Sequence, residues 1–197
     1  MATVYFIDIT KLEESSPING NVDATILKPI IYTAQDMYIQ PIIGSGIYNE
    51  LKTQIINNTL TVANTTLLND YIKPCLTWYV MYDSPIAMTY KYMNKAVMKR
   101  TADNAETPAY DELIDVANKN LEKAQFYAKR LSEFLLANLS TYPLFANPGS
   151  AYDTIRPTTT TYNTGLFLGE DGCKSSLTYN RESNGIEKGK SQFYPCD

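Results

Sequence analysis

The sequence predicts a mainly α protein: a helical bundle with long helices, followed by an extended or β-hairpin arm at the C-terminus. Three observations carry that expectation. Apolar residues recur at spacings of three and four through most of the first 140 residues, which is the mark of helices with one buried face. After "STYPLFANPGS" the aliphatic residues thin out and Thr, Asn, Ser and Gly take over. With 197 residues, 44% hydrophobic and 19% charged, the chain holds one domain with a real core, or a domain plus arms. The expected division is a helical domain at 1–140 and an arm at 141–197.

The helices are expected at about 22–40, 45–57, 65–98 and 108–139. The first begins at Asn21 or Asp23, either of which is a good N-cap. Leu27, Ile30, Ala34 and Met37 form its apolar stripe, and Pro29 falls early enough to mark the first helical turn instead. Pro41 should stop it at Gln40. Gly44 is free to turn the chain in a left-handed conformation, and Ser45 caps the second helix, which buries Ile47, Leu51 and Ile55. "INNTLTVANTT" reads as a loop with room for a short extended piece.

The third helix starts around Asn64 to Thr66, with a stripe of Leu68, Ile72, Cys75, Tyr79, Tyr82 and Ile86. "CLTWYVMY" is apolar nearly all round, as expected of a central helix or one packed on a second subunit. Pro74 and Pro85 should bend or segment it, and "IAMTYKYMNKAVMKR" extends it. The fourth helix has Thr107 as N-cap, Pro108 at the first helical position, and Asp111 and Glu112 complementing the dipole. Its stripe is Tyr110, Ile114, Ala117, Leu121, Ala124, Ala128, Leu131 and Leu135. At about 45 Å it needs a long partner, and the third helix is the natural one.

Within the arm, "TYNTGLFLG" and "SSLTYN" read as short strands or a hairpin. The arm has too few apolar residues to offset the entropy of ordering it alone. Its Tyr162, Leu166, Phe167, Leu168, Phe193 and Tyr194 are therefore candidate interface residues.

Composition removes several classes of function. The chain has no histidine, so it lacks the commonest general base and metal ligand, and a Ser-His-Asp triad is excluded. Cys75, Cys173 and Cys196 are too far apart for a zinc motif. A net charge of −4 argues against a dedicated nucleic-acid binder. "IIGSGIYNEL" joins helix to helix and lacks the Gly-Lys-Ser/Thr of a phosphate loop. "GEDG" has too few carboxylates for a calcium loop. The opening "MATVYFIDITKLEE" lacks the basic region and apolar run of a secretory signal. No catalytic, cofactor-binding or metal site is expected, and the protein is expected not to be an enzyme. On the extended third helix, Lys91, Lys95, Lys99 and Arg100 fall near one face, either a solvated face or a contact with an acidic neighbour or DNA.

The segment "AQDMYIQPIIGSGIYNELKTQI" resembles the head-to-tail connector, or adaptor, proteins of tailed bacteriophages. Their pattern is a helix, an Ile-x-Pro-x-x-Gly corner, then an apolar-Tyr-x-x-Leu helix. Here Ile39, Pro41, Gly44, Ile47, Tyr48 and Leu51 carry it, with Ser45 in the hinge, and the Asn/Thr/Tyr-rich style is most like the neck ring proteins of crAss-like phages. The resemblance covers roughly 22–140. It implies a non-enzymatic virion protein at the head–tail junction, made in the host cytoplasm and assembled as a homo-oligomeric, usually dodecameric, ring under the portal protein. Such a ring extends the DNA channel without sequence-specific DNA binding and docks the next neck or tail component. The alternatives are another virion protein, such as a stopper or minor head protein, or a small cytoplasmic helical binding protein.

Overall fold

Helical elements pack around one apolar core, with a short hairpin at the end of one of them, and the computed structural model describes residues 3–18, 20, 22–100, 108–149 and 154–157. In chain order these are α1 (Ile9–Ser15), α2 (Ala24–Ala34), a π segment (Gln35–Ile39), α3 (Gln40–Asn57), α4 (Val62–Thr66), a second π segment (Leu67–Ile72), α5 (Lys73–Thr89), strands β1 (Tyr90–Tyr92) and β2 (Val97–Lys99), α6 (Tyr110–Ala137) and α7 (Pro143–Ala146). The mainly α class is as the apolar periodicity predicts. The N-terminal α1 is too short to show a periodicity, yet its Leu12 reaches the core.

Asp23 caps α2, its carboxylate accepting from Thr25 N–H at 2.9 Å. Pro29 sits inside α2 rather than in its first turn. Pro41 does not stop the helix, contrary to expectation. Just before it, the Gln40 N–H reaches back five residues to the Gln35 carbonyl, a turn one residue wider than α. That extra width falls where the proline ring needs room and offers no donor. The same device precedes Pro74, where Lys73 N–H bonds the Leu68 carbonyl. Each π turn also advances the buried face by one residue. After Ala34 the core stripe therefore continues through Gln35, Ile39 and Ile43, and Met37, placed in the stripe by simple periodicity, points to solvent.

α3 ends at Asn58, which takes a left-handed conformation, and Thr61 caps α4 by accepting from Asn64 N–H at 3.2 Å. The buried Asn64 side chain ties back to Glu50 at 3.1 Å and Gln54 at 2.9 Å on α3. The expected loop between the second and third helices is thus a tight, capped turn.

α6 lies along α5 and the π segment before it, as its length demands. Ala117 and Ala124 are buried in that seam, and the Cys75 sulfur lies 4.0 Å from the Ala124 carbonyl. Burial pushes the Cys75 thiol up to about 12, so it behaves as a small apolar side chain. The expected start of α6 is revised. Its N-cap is Ala109, whose N–H donates to Glu112 at 3.0 Å, and Pro108 precedes the helix. Thr107 lies outside the described residues. The buried stripe adds Leu113 and Asn120 to the expected Ala117, Ala124, Leu131 and Leu135, whereas Ile114, Leu121 and Ala128 are half-buried and Tyr110 is exposed.

Asn120 has a specific task. Pro85 lies inside α5 and cannot donate to the carbonyl four residues back, that of Met81. The Asn120 amide of α6 donates to that carbonyl at 3.1 Å. α5 therefore passes Pro85 and runs one further turn to Thr89.

The third helix was expected to reach residue 98, and the structure corrects this. Beyond Thr89 the chain becomes an antiparallel hairpin with Tyr90 opposite Lys99, Lys91 opposite Met98 and Tyr92 opposite Val97. The Arg100 N–H closes its base on the Thr89 carbonyl at 2.8 Å. Tyr-Lys-Tyr and Val-Met-Lys flanking an Asn-containing turn favour strands, and the helical stripe has already run out at exposed Ile86.

The compact unit spans Met1–Thr159. The change of composition after residue 140 does not mark its edge, because Tyr142 and Phe145 are buried in the core. The Tyr142 hydroxyl donates to the Ala63 carbonyl at 2.8 Å.

The Pro85–Asn120 pairing makes a specific prediction. Asn120→Leu should lower unfolding free energy by about 1–2 kcal/mol, since it leaves a half-buried carbonyl without its donor. In a Pro85→Ala background the helix supplies its own donor, and the same change should cost measurably less. A urea-denaturation double-mutant cycle checks this, and additive effects would count against the pairing.

Candidate functional site

The residues that the sequence grouped as a hinge do come together. Ile39, Ser45, Tyr48 and Leu51 are all buried, and Pro41 follows the first π segment. The chain breaks at Gly44, with φ 77° and ψ 157°. This is a positive-φ extended conformation rather than the left-handed helical one expected, and it is essentially closed to residues with a Cβ.

The break leaves the Ser45 N–H without a helical acceptor. It donates instead to the Ile155 carbonyl at 2.9 Å, and Ile155 N–H donates back to Ser45 Oγ at 2.9 Å. Gln40 Nε2 adds a bond to the same hydroxyl at 3.3 Å. Residues 154–157 thus form a strap across the corner. The Pro157 ring lies directly on Gly44, where an added Cβ would meet its Cδ at 2.8 Å. At Gly46 an added Cβ would meet the Pro148 Cα at 2.8 Å, so that glycine admits the chain leaving α7.

Polar side chains fasten the two sides of the corner. The buried Gln35 amide donates to Tyr48 Oη at 2.9 Å, and Tyr48 donates to the Asp36 carboxylate. Lys52 stands 3.9 Å from that carboxylate and 4.2 Å from the centre of the Tyr48 ring. Gln35 also grips the N-terminal segment, accepting from Phe6 N–H at 2.9 Å and donating to the Val4 carbonyl at 3.1 Å. The amide's two donors are both used and its oxygen is satisfied, as burial requires. Burial, helped by the bond to Asp36, pushes the Tyr48 phenol far above its usual range.

Beside the corner, Tyr38 stacks on Tyr79 with ring centres 4.3 Å apart and donates to Asp83 at 3.2 Å. Burial pushes both phenols up to about 12, with the Asp83 charge adding to the effect on Tyr38.

The expected cationic helical face does not exist. Lys91 and Lys99 lie on opposite faces of the hairpin, Lys95 is in its turn, and Arg100 follows β2. Lys99 donates to the Pro108 carbonyl at 2.9 Å. Tyr162, Leu166, Phe167, Leu168, Phe193 and Tyr194 lie outside the described residues. Among the described residues no three metal-ligating side chains cluster, and no helix is long and apolar enough to cross a membrane. Sequence reasoning missed Gln35, Asp36 and the strap. A Gln in a core stripe was a readable signal for the first, while nothing near Ile155 announced its partner.

Residues 39–155 match the profile of DUF6712, a family of unknown function. The chain belongs to that family. No curated protein and no solved structure matches it. The DUF6712 segment begins at Ile39, at the corner, and ends at Ile155, the residue that bonds Ser45. The family's span is therefore closed in space by the Ser45–Ile155 pair.

Two outcomes follow from this geometry. Gly44→Ala should cost about 1–3 kcal/mol of stability in urea titrations. Gly20→Ala, which meets only an ordinary contact with Glu13, should stay within about 0.5 kcal/mol. Equal effects at the two glycines would dismiss the strained corner. The second outcome concerns pH. The folded protein holds Tyr38 and Tyr79 protonated up to about 12, against 10.0 for a free phenol. Their contribution is complete below pH 10 and is lost as pH rises from 10 towards 12. Stability by denaturant titration should be level from pH 7 to about 8, begin to fall as the Cys75 thiol ionises in the unfolded chain, and fall more steeply above about 10 as the phenols follow. A level curve to pH 11.5 would show that these phenols ionise freely.

Proposed function

We propose that this DUF6712 chain is a structural subunit of the head-to-tail connector of a tailed bacteriophage. It assembles as a homo-oligomeric ring under the portal protein, extends the DNA channel and docks the next neck or tail component. It works in the virion by shape and interface burial, not by catalysis. The observation that carries this reading is the corner at Ile39, Pro41, Gly44, Tyr48 and Leu51, the pattern that resembles the connector proteins.

The physical logic supports it. A ring subunit must present two interfaces at a constant angle, or the ring does not close. A corner made from a glycine that cannot be replaced without strain, pinned by Ser45 to Ile155 and fastened by Gln35, Tyr48 and Asp36, is suited to hold one angle. An acidic chain suits a conduit that lets DNA slide past without gripping its phosphates.

Native mass spectrometry of the purified protein, alone and with the portal protein from the same source, tests the proposal. The expected result is a ring-sized complex that forms on or with the portal. A chain that stays monomeric and ignores the portal would remove the connector reading.

A further inference from the structure

The hairpin that replaced the end of the expected third helix has no role in the corner. In it, Tyr90, Tyr92, Val97 and Lys99 share one face, and Lys91 and Met98 lie on the other. Both faces are wet: Tyr92 is 86% exposed, Val97 56%, Met98 55% and Met93, in the turn, 53%. A lone two-stranded hairpin with apolar side chains on both faces is poorly stabilised in water. Its first face also overhangs a mainly apolar groove of about 510 Å³ between the end of α5 and the start of α6, lined by Tyr82, Ile86, Tyr110 and Ile114 with Asp83 and Asn118 as its polar members. Together they form one apolar surface, of the kind that marks a docking site.

Charge identifies the occupant. Segment 90–100 carries Lys91, Lys95, Lys99 and Arg100 and no acidic residue, which leaves 13 basic against 21 acidic residues for the rest of the chain. Lysines on the hairpin disfavour pairing with a second hairpin, because like charges would meet edge to edge. DNA would satisfy the lysines but leave Tyr92, Val97 and Met98 in water, and the acidic remainder of the chain would be repelled. The surface that offers both acid and burial is the body of another copy.

We infer that the hairpin at 90–100 inserts head to tail into an acidic groove of a second copy of this chain, which covers Tyr92 and Val97 on one face and Met98 on the other and meets the lysines at the rim. This rests on the ring reading and assigns the element that joins its subunits. A contact between two different surfaces, repeated from copy to copy, is the kind that closes into a ring.

The test uses the full chain with a photo-crosslinking residue, Tyr92→p-benzoylphenylalanine, prepared from mixed ¹⁵N-labelled and unlabelled copies, with and without portal protein and duplex DNA. Crosslinks between heavy and light copies are expected. Lys91→Glu with Lys95→Glu should raise the protein concentration needed for assembly by about tenfold or more while the melting temperature is unchanged, and added salt should weaken assembly of the parent chain. A ring that forms with crosslinks only to portal or DNA, or with none, overturns this inference and leaves the connector reading standing. A parent chain that neither assembles nor binds the portal overturns both.

Discussion

The molecule depends on one contact in which a hydrogen stands where other residues carry a methyl group. At Gly44 the chain turns out of the helix with a positive φ, and the Pro157 ring occupies the space a side chain would fill. Because the ring sits there, Ile155 is at the height of Ser45 and the two exchange hydrogen bonds. The corner and the strap are one structure made from residues more than a hundred positions apart. Gln35, Tyr48 and Asp36 then hold the helices on either side, and the same Gln35 amide draws in the N-terminal segment.

The prolines show how helices survive a missing donor in two ways. Pro41 and Pro74 each follow a π segment, whose wider turn makes room within the helix itself. Pro85 has no such turn, and a side chain from α6 supplies the missing hydrogen bond. The first solution is local and shifts the buried face by one residue. The second makes the continuity of α5 depend on its packing against α6, which places a buried polar group in the seam between these two helices.

Much of this is legible in the sequence. The buried faces of the helices follow apolar periodicity, the pairing of α6 with α5 follows from length, and the corner was legible from Pro41, Gly44 and Ser45. The errors have particular causes. A regular period puts Met37 inside, and the π turn before Pro41 puts it in solvent. Residues 90–98 form a hairpin although "IAMTYKYMNKAVMKR" reads as a continuation of the helix, because Tyr-Lys-Tyr and Val-Met-Lys alternate as strands do. Tyr110, the first residue of α6, is exposed, and Leu113 is buried in its place.

The amino-acid order alone settled the class of fold, the approximate places of its main helices and the position of the corner, because these rest on local periodicity, caps and the dihedral limits of glycine and proline. It did not reveal what passes over the corner, what satisfies Met81, or that Tyr142 and Phe145 belong to the core. Those matters are decided by contacts between residues distant in the chain, whose partners exist only once the helices have packed.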